Sequence, residues 1–342
     1  MLYVTTRSNL DVFTAHRALT ESRGPDGGQY LPFRSPTFSD GQLQELSGLP
    51  FNECVARLLN RMFGSKLGKF DVDFAIGRYP VRLAQLSHRI LVGECWHNPQ
   101  LHFGRTVDGL TRLLRERTDI VPGEWLPIGI RVAILFAVYA ALLAEGTVQA
   151  GEKVDISLVS GEFDGAISAW YARQWGLPIG SIICCCNENS ELWNLIAQGQ
   201  LRTDSVCSCT VTTDADISLP SCLERLIHGC GGPEEVERYL DRCRRGGMYV
   251  PSERVLQKLR DGLYVSVISS HRTLRTIPSV YATHRYLMSP YTALAYSGLL
   301  DYRAKTGQLR RSIVIADRSP VRERETVASA LGVSPEKLKD YM

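Results

Sequence analysis

"LVSGEFDGAISAWYARQWGLP", residues 158–178, reads as the end of a strand, a small glycine turn, and a helix that stops at Gly176. Such a junction suits a phosphate, because free N–H groups at a helix start point outward and the helix dipole favours an anion there. Yet Glu162 and Asp164 stand in the turn itself. A phosphate dianion a few ångströms from either carboxylate is repelled by roughly 1 kcal/mol or more per pair, even in well-screened water. The turn therefore has the shape of an anion site and the wrong charge for one.

Outward from this turn, strands and helices alternate. "GEKVDISLVSG" is the strand that delivers it, and "PIGSIICCC" the next strand. "SELWNLIAQG" is a helix closed by Gly199, and "PSCLERLIHGCGG" a helix with a glycine stop. "RRSIVIAD" is a late strand, followed by a last helix, "SPVRERETVASALG", with Ser319 as its cap and Pro320 just inside. Upstream, "HRILVGECW" (88–96) is a strand, "RTVDGLTRLLRER" a helix, "TDIVPGEWLPIG" a loop, and residues 130–145 a buried helix. This alternation predicts an α/β domain with a mostly parallel sheet. Residues 1–90 instead alternate loops with amphipathic helices. One is capped by Ser39 or Asp40, and another runs from a capping Asn52 to a closing Gly64.

A net charge of +3 over 342 residues, with no long basic run, argues against nucleic acid as a partner. The longest apolar run, Val132–Ala144, is shorter than the roughly 20 residues a bilayer needs. It predicts a core helix and no membrane partner. The first residues lack the apolar stretch of a secretory signal, so the expected compartment is the cytoplasm. Ten cysteines include no C-x-x-C pair, and no metal site is expected. Cys184, Cys185 and Cys186 fall on one strand, where neighbours face opposite sides, and are read as small buried hydrophobes. His97 and His102 are spaced wrongly for a helix-borne ligand pair.

Five stretches, in order along the chain, resemble the threonine synthase family of pyridoxal-phosphate (PLP) enzymes. "SRGPDGGQYLP" is similar to A-P-D-G-G-L-F-V-P, and "ECWHNPQLHFG" to E-L-F-H-G-P-T-x-A-F-K. "LVSGEFDGAISAWYARQWGLPI" resembles V-P-S-G-N-F-G-D-x-x-A-G-x-x-A-K-x-x-G-L-P. "SPYTALAY" resembles x-P-H-x-A-V-A-Y, and "VIADRSPVRERETVASALG" the closing L-x-T-A-H-P-A-K-F motif and helix. The resemblance implies the large domain of the fold-type-II, tryptophan synthase β-like fold over residues 91–342. It also implies a threonine-synthase-like N-terminal helical segment over 1–90.

The departures bear on chemistry. The family's Schiff-base lysine, which must hold the cofactor covalently, matches Gly104, followed by Arg105. None of the lysines (66, 69, 153, 258, 305, 337 and 339) lies nearby in sequence. The family's phosphate-wrapping turn matches Ser160, Gly161, Glu162, Phe163, Asp164 and Gly165, with Asp164 in place of a glycine suited to φ > 0. The family's small lid domain has only residues 105–124 in its place, too few for a lobe that needs on the order of 50 residues. No catalytic residue and no cofactor are therefore expected, PLP entering only if the ancestral chemistry survives. Ser160–Gly165, His97, Phe103 and Asp317 are expected as a remnant cleft. The chain reads as a noncatalytic binding module for a small molecule or a protein, possibly itself or a full-length threonine synthase. That partner would cover a sheet face exposed by the missing lobe. Two alternatives stay open: an active threonine synthase converting O-phosphohomoserine to threonine and phosphate, and unrelated chemistry in an acidic cleft formed by Glu162, Asp164 and Asp317.

Overall fold

The computed structural model describes residues 1–118 and 123–342. The N-terminal segment is more than helical. Strands β1 (Leu2–Thr5), β2 (Phe13–Thr14) and β3 (Tyr30–Pro32) form an antiparallel sheet in the order β2-β1-β3. Helices α1 (Ala15–Thr20), α2 (Asp40–Ser47), α3 (Phe51–Phe63) and α4 (Lys69–Ile76) accompany it. Ser39 caps α2 through a reciprocal box with Gln42. Asn52 is not the cap of α3. The helix starts one residue earlier, after Pro50, and the Asn52 amide donates to Asp73 Oδ1 (2.6 Å) and Gly77 O (2.9 Å), fastening α3 to the end of α4.

A six-stranded sheet follows, in the order β10-β7-β6-β11-β5-β4. Its members are β4 (Arg82–Ser87), β5 (Ile90–Glu94), β6 (Val154–Val159), β7 (Ile179–Cys186), β10 (Tyr264–Val267) and β11 (Ser312–Ala316). All pairs are parallel except the edge pair β4–β5. A two-stranded ribbon, β8 (Leu201–Arg202) with β9 (Met248–Tyr249), lies apart. Among the described residues there is no second parallel sheet.

Helices α5 (Phe103–Thr118), α6 (Trp125–Ala144) and α7 (Asp164–Gln174) belong to one flank. The remaining helices are α8 (Glu191–Trp193), α9 (Leu223–Arg245), α10 (Glu253–Gly262), α11 (Ser270–His284), α12 (Pro290–Thr306) and α13 (Arg324–Leu331). The sheet separates two apolar clusters. One holds Cys184 and Cys186 with α6 and α7; the other holds Cys185 with α11 and α12. The thiol triplet alternates across the strand, as period-two geometry requires.

Helix α6 starts at Trp125, inside the stretch expected to be a loop; residues 119–122 of that stretch lie outside the described residues. Pro127 is tolerated because the first turn of a helix has no intrahelical use for its N–H groups. By length and composition α6 could cross a membrane, but most of it is buried against the rest of the chain. Gly129 makes its packing possible: a Cβ there would lie 2.5 Å from Phe63 Cζ, so α3 could not approach as closely.

Other expectations need correction. The last helix begins at Arg324, because Ser319–Glu323 is spent on turns, with Arg322 N–H donating to Ser319 O and Glu323 N–H to Pro320 O. The glycine stop expected at the end of "PSCLERLIHGCGG" does hold: the stretch labelled α9 is interrupted at Gly232 (φ 77°), and a second helical run starts at Pro233. The expected bare sheet face is also absent from the described residues: β5, β6, β7 and β11 are almost wholly buried. The most exposed aromatic residues instead sit on α4, at Phe70 and Phe74.

Candidate functional site

Strand β11 lies between β6 and β5, so the carboxyl ends of three strands meet at one edge. Open α/β sheets bind ligands at such a point, where connections leave in different directions. Here β5 delivers Cys95, β6 delivers Ser160 and β11 delivers Asp317 to a cavity of about 220 Å³. Phe103 at the head of α5, Arg131 on α6 and Gly161, Glu162, Asp164 and Gly165 complete much of its wall.

Two expected cleft residues lie elsewhere. His97 does not line the cavity; its Nε2 meets Glu94 Oε2 at 2.7 Å, and its ring stacks on Trp96 at 4.2 Å. Phe163 is fully buried beneath the turn, where an apolar side chain gains more than it would at the wall.

The turn keeps a tight form, with Phe163 N–H donating to Ser160 O at 2.7 Å. Its left-handed residues are Gly161 (φ 43°) and Phe163 (φ 73°), not Asp164. Asp164 is the first residue of α7, so the backbone strain expected from replacing a glycine does not arise. Instead its carboxylate sits where the helix dipole welcomes negative charge. Asp164 Oδ1 accepts from the Cys222 thiol at 3.0 Å, and Oδ2 lies 4.0 Å from Arg131 Nη2. Glu162 Oε2 accepts from Ser221 N–H (3.3 Å) and Oγ–H (3.0 Å). Both acids are thus tied to the start of α9. Burial, and then the Asp164 charge, push the Cys222 thiol up to about 12, which keeps it a donor.

The α9 start is itself anchored. Gln29 Nε2 donates to Ser221 O (3.0 Å), Arg225 Nε to Tyr30 O (3.2 Å) and Arg7 Nε to Glu224 (3.3 Å). The N-terminal sheet, α9 and the turn therefore form one connected network.

At the head of α5, Phe103 N–H donates to Asp317 O at 2.7 Å. Gly104 N–H donates to His102 Nδ1 at 3.0 Å, so the neutral ring carries its proton on Nε2. Burial, then the charge of Arg318, lower the His102 pKa to about 4. A Cβ added at Gly104 would stand 2.9 Å from both Cε1 and Nδ1 of that ring. The room a side chain would need at 104 is filled by imidazole. No lysine lines the cavity among the described residues.

Sequence reading missed the two arginines. Arg131 looked like the edge of an apolar run, but it lies within α6, over the Phe103 ring at 4.8 Å. A lone charge inside an apolar helix was the available signal. Arg318 lies over the Tyr291 ring at 3.9 Å and pairs with Asp214 and, at 3.4 Å, with Glu323. Tyr291 Oη accepts from Asp214 N–H at 3.1 Å, so the Thr213–Ala215 turn closes one side of the cavity. Asp317 is raised by burial, against the opposing charges of Arg131 and Arg318.

A family model described as the threonine synthase N terminus matches residues 2–78. A threonine synthase of Pseudomonas aeruginosa is 27% identical in an alignment covering 98% of this chain and 92% of that protein. Residues 2–78 belong to the threonine synthase N-terminus family, and the chain as a whole is similar to threonine synthases. That alignment runs over 438 residues, so about a hundred positions have no counterpart in this threonine synthase-like chain of 342. Human threonine synthase-like 1 is 27% identical over 187 residues, which are 54% of this chain and 25% of that protein. The chain thus spans a quarter of the length of the threonine synthase-like 1 relatives it matches. The fold is that of the PLP-bound threonine synthase from Brucella melitensis, with a TM-score of 0.85 at 20% identity over 100% of this chain and 94% of that one.

Proposed function

We propose that this chain is a noncatalytic threonine synthase-like protein whose cleft binds a small molecule without a covalent cofactor. The observation that carries the reading is the head of α5. Where the resemblance places the Schiff-base lysine there is Gly104, and the His102 ring fills the space beyond it. The Brucella melitensis relative is described as PLP-bound, but the groups here do not fit covalently held PLP. No amine lines the cavity among the described residues. The turn that would meet the phosphate carries Asp164 at its helix start and Glu162 beside it. On this reading the missing lobe belongs between α5 and α6.

The test is direct. Purified chain is incubated with PLP, reduced with borohydride and weighed intact by mass spectrometry; no added mass is expected. Supplied with O-phosphohomoserine and PLP, it should release no threonine above the protein-free rate. A stoichiometric adduct, or threonine formed with turnover, overturns the reading.

A further inference from the structure

Two charged groups face the cavity without hydrogen bonds. Arg131 makes none among the described residues; its Nε is buried and unmatched, and its single ion pair is the 4.0 Å approach to Asp164. Among the described residues the Asp317 carboxylate likewise has no hydrogen bond and no ion pair, and its backbone oxygen accepts from Phe103 N–H. The two influence each other electrostatically but do not meet within ion-pairing distance. A buried polar group left unmatched, as Arg131 Nε is, is costly, and the partly buried Asp317 carboxylate opens to the cavity with no protein partner among the described residues. The other charged groups of the wall are engaged: Glu162 by Ser221, Asp164 by Cys222, and Arg318 by Asp214 and Glu323.

The remaining wall is largely apolar, with Ile134, Leu135 and Val138 from α6, Leu158 from β6 and Ile315 from β11. A dry engineered cavity of about 150 Å³ takes up benzene. A cavity of about 220 Å³ therefore admits a branched aliphatic body.

We infer that the cleft binds a small aliphatic zwitterion, such as a free aliphatic α-amino acid, with its ammonium on Asp317 and its carboxylate on Arg131. One ligand then satisfies both open groups. A bare anion leaves Asp317 unmatched and adds charge beside Asp164; a bare amine leaves Arg131 unmatched. The guanidinium offers parallel N–H groups suited to a carboxylate. His102, with its proton on Nε2, supplies a further neutral donor to the same cavity. The ligand is held without a covalent bond, so the inference rests on the proposed noncatalytic reading.

The experiment is calorimetric titration of the full chain with leucine, 3-methylbutylamine and 4-methylpentanoate. Leucine is expected to bind at least tenfold tighter than either analogue, which each lack one charge. Asp317→Asn should weaken leucine and the amine at least tenfold and leave the acid unchanged. Arg131→Gln should weaken leucine and the acid and spare the amine. The comparison of the three probes on the unaltered chain needs no variant, so it decides the matter even if a variant fails to fold. Leucine binding no tighter than its analogues, or not at all, overturns the inference while the noncatalytic reading stands. A borohydride-trapped PLP adduct overturns that reading, whatever leucine does.

Discussion

At the head of α5 stands Gly104, where the resemblance places a lysine side chain, and the neighbouring His102 ring occupies the room a side chain would need. At the head of α7 charge has been added instead, and both new acids are fastened to the start of α9. The two junctions serve the same cavity. The first departs by subtraction, repaired locally within three residues. The second departs by addition, repaired over long range, through residues nearly sixty positions away. A lost side chain leaves only a volume to fill, which a neighbour can do. An added carboxylate must be solvated or partnered, and partners have to come from another element.

The sharpest way to break this contrast is to restore the amine. Gly104→Lys alone should trap no PLP with borohydride, because its Cβ collides with the imidazole. His102→Ala with Gly104→Lys removes the obstacle; the resemblance places an alanine at that position in the family. The double variant should give at least tenfold more adduct by intact mass. Equal capture by the single and double variants means that the ring is not what closes the site.

The next effect is on stability against pH. The folded pKa of His102 is lowered to about 4, mainly by burial and then by Arg318, from an unfolded value near 6.5. The neutral form is therefore the one that favours the fold. Its contribution is complete above about pH 6.5 and is lost as the pH falls from there towards 4. By linkage a shift of this size is worth about 3 kcal/mol, which solvent screening of the half-buried ring reduces to roughly 1–2 kcal/mol. Urea unfolding at pH 7 and pH 4.5 should show wild type losing more stability than His102→Gln, which has no proton to gain. Parallel losses in the two proteins show that the ring is not buried beside Arg318 as described.

Much of this was legible before any coordinates. The strands β5, β6, β7 and β11 announce themselves as short apolar runs between turn signals, and their alternation with helices implies the mostly parallel sheet. Gly104 and the acids of the turn were visible as departures from a pattern. What the sequence hid depends on distance in space. Ser221 and Cys222 lie 58 or more positions beyond the acids they hold, and no local pattern links them. His97 was misplaced into the cleft because its motif position suggested a pocket, whereas Glu94, three residues earlier, already satisfies it. Helix α6 was started too late because Pro127 and Gly129 look like breakers, although the first turn tolerates one and contact with Phe63 requires the other.

The smallest effects separate the two acids of the turn. Asp164→Asn removes the charge at the α7 start and leaves Arg131 without its one ion-pair partner among the described residues. A cost of about 1 kcal/mol is expected, read as a lower urea midpoint at unchanged slope. Glu162 is exposed, and its bonds to Ser221 compete with water. Glu162→Gln keeps an acceptor there, and should cost about 0.5 kcal/mol or less. The order matters more than either value. If Glu162→Gln proves the costlier change, the hold on α9 runs through Ser221, and the Asp164 carboxylate serves the cavity's charge balance without fastening the helix. If Asp164→Asn is costlier, as expected, the α7 start carries the load, because only Asp164 combines the helix dipole, the Cys222 thiol and the guanidinium in one group.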